Sequence, residues 1–540
     1  MGITGLWKEL EPIEQKISLH NLAVGTGFIG NATGIRGFRV GIDASGWMYR
    51  ACYRHGNMES PELVALFSRC SRLFRLPFIP IFVFDGPERP SMKRGKVIRG
   101  NDHWLTSSFQ LMLDGFGFEW IMARGEAEAT LSVMTTNGIP VRVDAILTDD
   151  SDSFVFGASV VLRIRSEDNE NYEASRYSAF DISTALGLSR EDFVLIAILA
   201  GGDYSDGLDK CGISTAIGLA RAGLGRQLIS GLSGQSRSDS ALFLGTWRES
   251  LRSELSTNAS GHLAHRCKQL AAGIPSDFPD LDVVNLYLHP IISELVPATR
   301  SLVFHPPQLD ILARFAEDHF GWGDSIGILT HFADQLFAGL VVRELTQRAL
   351  AVDSLAPPPD SPSIIQKIVG DRNHKSTGYL AELRLILSVD PTPLTYALQA
   401  VIGRRDPAQG AQAAVAAWIT TDLPKVRVWV PKSMVEHVYP AIVLDYICAQ
   451  TNRTSRRTKT TTSQPDIDAK RPSTSASSSS VTAADQQGHA TGLADNMQKG
   501  SSSGKANSSS ARREKRYATM SVTYQGQEVV ELITDSEGEF

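Results

Sequence analysis

Seven acids in the first 203 residues stand where carboxylates can do chemistry. They are Asp43 in GIDAS, Asp85 in FVFDG, Glu126 and Glu128 in GEAEAT, Asp150 and Asp152 in TDDSD, and Asp203 in GGDYSDG. Each alone also fits an ordinary role: Asp43 a helix cap, Asp85 a turn residue, Asp203 a loop acid. Gathered on one edge of a sheet, like charges repel strongly and need compensation. Divalent cations supply it, and hard oxygen donors without His or Cys suit Mg²⁺ or Mn²⁺. Two such ions about 4 Å apart are a device for in-line phosphodiester hydrolysis. One makes hydroxide from water and the other stabilises the leaving oxygen.

The stretch GEAEAT (125–130) fits that role in a particular way. Residues two apart on a helix do not face each other. Acids do favour a helix start, where the macrodipole is positive. A loop-to-helix junction between Glu126 and Glu128 satisfies both facts and lets both side chains reach one cluster. The small alanines keep the surface low for metal and phosphate.

The elements that must position these acids are legible over 1–225. Apolar, β-branched runs end in acids: FRVGIDAS (38–45), IPIFVFDG (79–86) and DAILTDDSD (144–152). Helical patterns such as PELVALFSRCSRLFRL (61–76) separate them. This alternation predicts an α/β fold with a mostly parallel sheet flanked by helices. Ligands collect outside the carboxyl ends of such strands.

Residues 226–350 read as helical. APPPDSPS (356–363) closes a proline-rich linker over 351–363. Residues 364–450 read as a small α+β module: YLAELRLILSV and KVRVWV as strands, then SMVEHVYPAIVLDYICA as a helix with one proline. From about 451 the composition turns to Ser, Thr, Ala and Lys/Arg, which predicts a disordered tail to 540.

The chain has 540 residues, enough for two to four domains, and a net charge of −6. That average does not advertise a nucleic-acid binder, but it hides local patches. Five scattered cysteines without metal-ligand spacing read as reduced intracellular thiols. No apolar run approaches membrane-spanning length, and MGITGLWKEL is not a signal peptide.

The order MGITGLW, GIDAS, FVFDG, GEAEA, TDDSD, GGDYSDG resembles the XPG/flap-endonuclease family of structure-specific nucleases over about residues 1–220. The resemblance implies a PIN-like sheet and two metal ions bound by Asp43, Asp85, Glu126, Glu128, Asp150, Asp152 and Asp203. Asp149 falls outside that set. It further implies phosphate contact by Lys93 and Arg99 in GPERPSMKRGKVIRGNDHW (86–104), with Arg94 and Lys96 beside them on DNA. That segment is short for the helical arch of flap endonucleases and points to the Holliday-junction-resolvase branch. Gly2 matches the family's N-terminus near the active site. Tyr49 matches an aromatic that stacks on a base, with a core aromatic as the alternative. YSDGLDKCGISTAIGLARAG (204–223) resembles the helix–two-turn–helix that grips duplex backbone through Gly212, Ser214 and Thr215, often with K⁺. Lys210 stands where the family commonly has glycine, so it departs from that pattern.

The expected activity is therefore Mg²⁺-dependent cleavage of branched DNA at 5′ flaps and four-way junctions, in the nucleus. The protein is expected to be a monomer in solution and a dimer on a junction. Residues 364–450 suit a chromodomain-like module, with a helical extension as the alternative. In EVVELITDSEGEF, Val529, Val530, Leu532 and Ile533 followed by acids resemble a SUMO-interacting motif. Basic clusters at 455–459, 470–471 and 511–516 suit nuclear import. Two other readings stand beside this one: a replicative 5′-flap endonuclease, and a non-catalytic SUMO-binding scaffold.

Overall fold

The computed structural model describes residues 2–53, 59–93, 95–97, 103–136, 142–164, 173–233, 237–292, 304–355, 362–390, 392–402 and 408–461, and a hairpin within 521–530. Residues 1–451 form one unit and 452–540 a second.

The strands of the first unit are β1 (Gln15–Ser18), β2 (Phe38–Asp43), β3 (Phe78–Phe84), β4 (Met92–Lys93), β5 (Lys96–Val97), β6 (Glu119–Met122), β7 (Ala145–Leu147), β8 (Val160–Arg163), β9 (Glu173–Ser178), β10 (Ile365–Asn373), β11 (Ala381–Leu387) and β12 (Arg427–Pro431). Seven make the central sheet in the order β1-β9-β8-β7-β2-β3-β6. The pairs β8–β7, β7–β2, β2–β3 and β3–β6 are parallel; β9 and β1 add an antiparallel edge. The predicted mostly parallel sheet is the one observed.

All seven residues of β3 are buried, as a strand covered on both faces requires. Its Pro80 pairs with Val40 on one side, while the ladder to β6 starts one residue later at Ile81. The missing amide hydrogen therefore falls where no neighbour needs it. Gly41 in β2 serves a different end. A Cβ there would meet Leu131 at 2.5 Å, so glycine lets the helix Ala127–Met134 lie close on the sheet.

Two apolar clusters fill the two faces. One holds Ile81, Val83, Leu131, Ile146 and the helix Arg190–Ala200. The other holds Phe67, Phe74, Phe82 and Phe116 and runs on through Phe337, Leu340 and Leu345 into the C-terminal module. There Phe337 meets Trp418 edge-on, with ring centroids 6.1 Å apart. Arg36, Asp353 and His437 clamp the same junction: Arg36 is bidentate on Asp353 at 2.6 and 2.8 Å, and His437 lies 3.2 Å from the Oδ1 that Arg36 Nη2 also contacts.

The described residues of 226–350 are mainly helical, including Arg237–Thr257, Leu281–Leu288, Leu309–His319, Ser325–Gln335 and Phe337–Asp353. The last of these helices occupies the expected start of the linker at 351. Residues 364–450 carry the antiparallel sheet β10-β11-β12 and then the helices Lys432–Val438 and Pro440–Thr461, broken at the proline. This module packs into the core of residues 1–350 instead of standing apart. Its last helix continues past 450 to Thr461. Among the described residues, no single helix is long and apolar enough to cross a membrane.

In the second unit, Ser521–Tyr524 pairs antiparallel with Gln527–Val530. Val529 and Val530 lie on this hairpin; Leu532 and Ile533 lie outside the described residues.

Candidate active site

Three adjacent parallel strands deliver acids to one sheet edge. Asp43 ends β2, Asp85 follows β3, and Asp150 and Asp152 follow β7. Asp43 also caps the helix Ala44–Ala51, accepting from the amides of Ser45 (2.9 Å) and Gly46 (3.1 Å). The cap role and the cluster role are thus the same placement. Asp152 starts a short helix, Asp152–Val155, and its amide donates to Asp150 at 2.9 Å.

The fourth contribution is GEAEAT. Glu126 is the extended residue before the helix Ala127–Met134, and Glu128 lies in its first turn. This is the junction the spacing predicted. Gly86 ties it to β3: its amide donates to the Gly125 carbonyl at 2.8 Å, and a Cβ there would collide with the carbonyl of Ala123. Asp85 can then accept from the Ala127 amide (2.9 Å) and from the Ser45 hydroxyl (2.9 Å). Asp203 arrives from the loop after the helix Arg190–Ala200.

The electrostatics show one interacting set. Burial, then the charges of Asp85 and Asp150, pushes the Asp43 carboxyl up to about 7. Burial and the nearby Asp43 carboxylate raise Glu128 well above the usual range, with Lys93 opposing. Asp150 is raised by burial and by Asp203, and Glu126 by burial against the pull of Lys93. Lys93 answers this charge. Burial alone would lower its ammonium, but Glu128, Glu126 and Asp203 more than offset that and raise it. Its Nζ contacts Glu126 and lies 3.0 Å from Asp203. Arg89 lies 3.4 Å from Asp85.

Lys93 reaches this position from a two-residue hairpin, β4–β5, in which Met92 faces Val97 and Lys93 faces Lys96. Lys96 is exposed; Arg94 and Arg99 lie outside the described residues. Among the described residues, no three carboxylates close on one point at metal-bonding distance. The donor set nevertheless fits Mg²⁺ or Mn²⁺: all donors are carboxylate oxygens, most are buried, and their charge exceeds what Lys93 and Arg89 neutralise.

Gly2 sits on the same edge. Its φ is +77°, and a Cβ would collide with Asp150, Ser151 and Asp152. The next amide, of Ile3, donates to the Ser151 hydroxyl at 2.9 Å. Tyr49 is 44% exposed and accepts from the Tyr53 hydroxyl at 2.6 Å, so it is not a core aromatic. Gly212 precedes the helix Ile213–Arg221, with Ser214 exposed and Thr215 half-buried. Lys210 adopts φ +66°, a left-handed conformation that glycine reaches most easily.

Asp149 has a separate task. It contacts Arg50 and lies 3.0 Å from Arg163, while its carbonyl accepts from the Trp7 indole at 2.9 Å. Sequence reasoning missed two tyrosines. Tyr204 donates its hydroxyl to Glu126 and was foreshadowed only by adjacency to Asp203. Tyr287 lies against Tyr204, with centroids 4.7 Å apart, and no local pattern announced it.

Residues 1–101 match the XPG N-terminal domain and residues 117–203 the XPG I-region. The Flap endonuclease GEN homolog 1 of Homo sapiens is 30% identical over 252 residues, covering 42% of this chain and 26% of that protein. Flap endonuclease GEN-like 1 of Arabidopsis thaliana is 29% identical over 251 residues, covering 41% of this chain and 39% of its own length. The chain thus spans well under half the length of these relatives. A structure of the eukaryotic junction-resolving enzyme GEN-1 binding potassium superposes with a TM-score of 0.64 at 29% identity, over 83% of this chain and 100% of that one. The Holliday junction-resolving enzyme GEN1 in complex with product DNA and Mg²⁺ gives 0.62 at 28%, over 83% and 99%. Residues 1–203, which bring both halves of the acidic sheet edge together, thus carry matches to the XPG N-terminal domain and the XPG I-region.

Proposed function

We propose that this protein is a Mg²⁺-dependent, structure-specific DNA endonuclease that hydrolyses phosphodiester bonds at four-way junctions and 5′ flaps in repair and recombination. The observation that carries the reading is the convergence of Asp43, Asp85, Glu126, Glu128, Asp150, Asp152 and Asp203 on one sheet edge with Lys93 inserted among them. When bound there, two Mg²⁺ ions (or Mn²⁺ in their place) would supply a hydroxide nucleophile and charge stabilisation for the leaving oxygen. The chain's own residues do the rest. Lys93 and Arg99 meet the scissile phosphate, and Lys96 and Arg94 extend that cationic rim. Tyr49, exposed beside the site, offers a ring to a base next to the cut. Gly2 leaves room for the backbone at the acids. Gly212, Ser214 and Thr215 present a helix start to duplex phosphate, with K⁺ held by the preceding turn.

DNA shape sets specificity. The hairpin β4–β5 is short, which favours a junction over a threaded flap. The module at 364–450 suits a chromodomain-like role: it has three antiparallel strands, with the helices Pro393–Gln399 and Ala408–Thr421 between β11 and β12 and further helices after β12. Paired nicking of a four-way junction calls for two copies on the DNA, from a protein that is monomeric in solution. Val529, Val530, Leu532 and Ile533 are offered as a SUMO-binding segment, and nuclear localisation follows from the substrate. The test is purified full chain with Mg²⁺ on labelled flap, fork and four-way junction DNA. Symmetric paired nicks in the junction support the reading; no cleavage of any branched substrate with Mg²⁺ or Mn²⁺ overturns it.

A further inference from the structure

The helix Leu281–Leu288 lies outside both family-matched regions, yet it sends one side chain to the acids. Tyr287 is fully buried. Its ring packs on Tyr204 at 4.7 Å and on Phe156, just past the Asp152 helix, at 6.1 Å. Its hydroxyl touches the space over Gly202, where any Cβ would collide with it. Asp152 and Asp203 are its charged neighbours, and burial together with these two carboxylates raises its ionisation well above the usual phenol range. No well-formed hydrogen bond from this hydroxyl is present among the described residues.

The approach is built, not incidental. Arg190 donates at 3.1 Å to the carbonyl of Val155 and at 3.1 Å to the carbonyl of Tyr287. One guanidinium therefore ties the Asp152 helix to the tyrosine's helix. Asp280 caps that helix through the amide of Asp282 at 2.8 Å. A buried hydroxyl without a partner is costly, by about 1–3 kcal/mol. Nothing in the ring packing requires it, because phenylalanine would stack equally well.

We propose that Tyr287 is a positioning residue for the Asp152–Asp203 half of the metal site. Its hydroxyl lies against the Gly202 backbone, one residue before Asp203, with its proton available to a carboxylate. It orients the two acids and keeps the loop at Gly202 from drifting. The inference rests on the nuclease reading of the same site. It makes the helical extension part of the metal centre, as groups that orient metal ligands commonly are.

Tyr287→Phe tests it in the full chain, because this variant removes the oxygen alone. Mn²⁺ is titrated calorimetrically into DNA-free protein, and junction nicking is followed against Mg²⁺ concentration. The expected result is Mn²⁺ binding weaker by about 10-fold or more. The Mg²⁺ concentration for half-maximal rate should rise in parallel, with the rate at saturating Mg²⁺ little changed and the metal-free melting temperature equal to or above that of the wild type. A purely packing tyrosine gives superimposable Mn²⁺ isotherms and Mg²⁺ curves, which would overturn the proposal while leaving the nuclease reading intact. Wild-type protein that neither binds Mn²⁺ nor cuts would sink both.

Discussion

The Lys93 ammonium lies 3.0 Å from the Asp203 carboxylate and also contacts Glu126, so one cation spans the two family-matched regions. It holds together acids that would otherwise repel. Lys93→Ala is expected to slow single-turnover junction nicking at saturating Mg²⁺ by about 100-fold or more. The same change should lower the metal-free melting temperature at pH 8, because the carboxylates lose their internal counter-charge. A variant that cuts at the wild-type rate would remove Lys93 from the reaction.

Asp43 gives a pH signature. Its carboxyl is raised to about 7 by burial and by Asp85 and Asp150, against an ordinary value of 3.8. A carboxyl raised in the fold leaves stability intact below its unfolded value. Stability is then lost as pH climbs to the folded value. Metal-free protein should therefore melt progressively lower between about pH 4 and 7. Mg²⁺ should recover stability most at the upper end, since binding must displace protons. Asp43→Asn should flatten the metal-free slope and abolish cleavage. Thermal melts across pH, with and without Mg²⁺, read both effects.

Gly2 has no room for a side chain at Asp150, Ser151 and Asp152, and its φ of +77° disfavours one. Gly2→Ala should cost more than about 1 kcal/mol of stability, because alanine is strained at this φ. It should also displace the acids enough to reduce nicking by 10-fold or more, on the scale of the about 10²-fold loss for a 1 Å misplacement. Paired melting and cleavage assays separate the two effects.

Arg343 is a buried charge packed among aromatic rings. It lies over Phe74 at 4.3 Å, Phe304 at 5.0 Å and Phe118 at 5.4 Å, and burial lowers its guanidinium to about 9. Replacing it with an apolar side chain of similar length should be neutral or stabilising, by up to about 1–4 kcal/mol. The wild-type penalty is full below pH 9 and eases above it, so the gap between Arg343→Met and wild type should narrow as pH rises. Denaturant melts at pH 7 and 10 provide the measurement.

The acidic edge was legible because parallel strands buried on both faces read as apolar runs, and each run ended in its acid. The spacing of Glu126 and Glu128 also carried its own explanation, and the helix starts between them. Other features had no local signature. Tyr287 reaches the site from a helix whose sequence reads as ordinary apolar packing. The partners of Asp149, Arg50 and Arg163, are likewise visible only in three dimensions. Strand β10 was hidden for a different reason: register shifts at Ile365/Lys367 and Ile368/Gly370 break the alternation that marks a half-buried strand. The separateness expected of 364–450 was misjudged because a proline-rich stretch signals a break in the chain, not a break in the core.

The contact of Phe337 with Trp418, and the Arg36–Asp353–His437 clamp beside it, have a thermodynamic consequence. Nuclease and module bury the same apolar surface, so neither can melt without exposing the other's half of it. Residues 1–451 should therefore lose structure as one cooperative block, and a substitution at Trp418 should be felt as instability at the distant cutting edge.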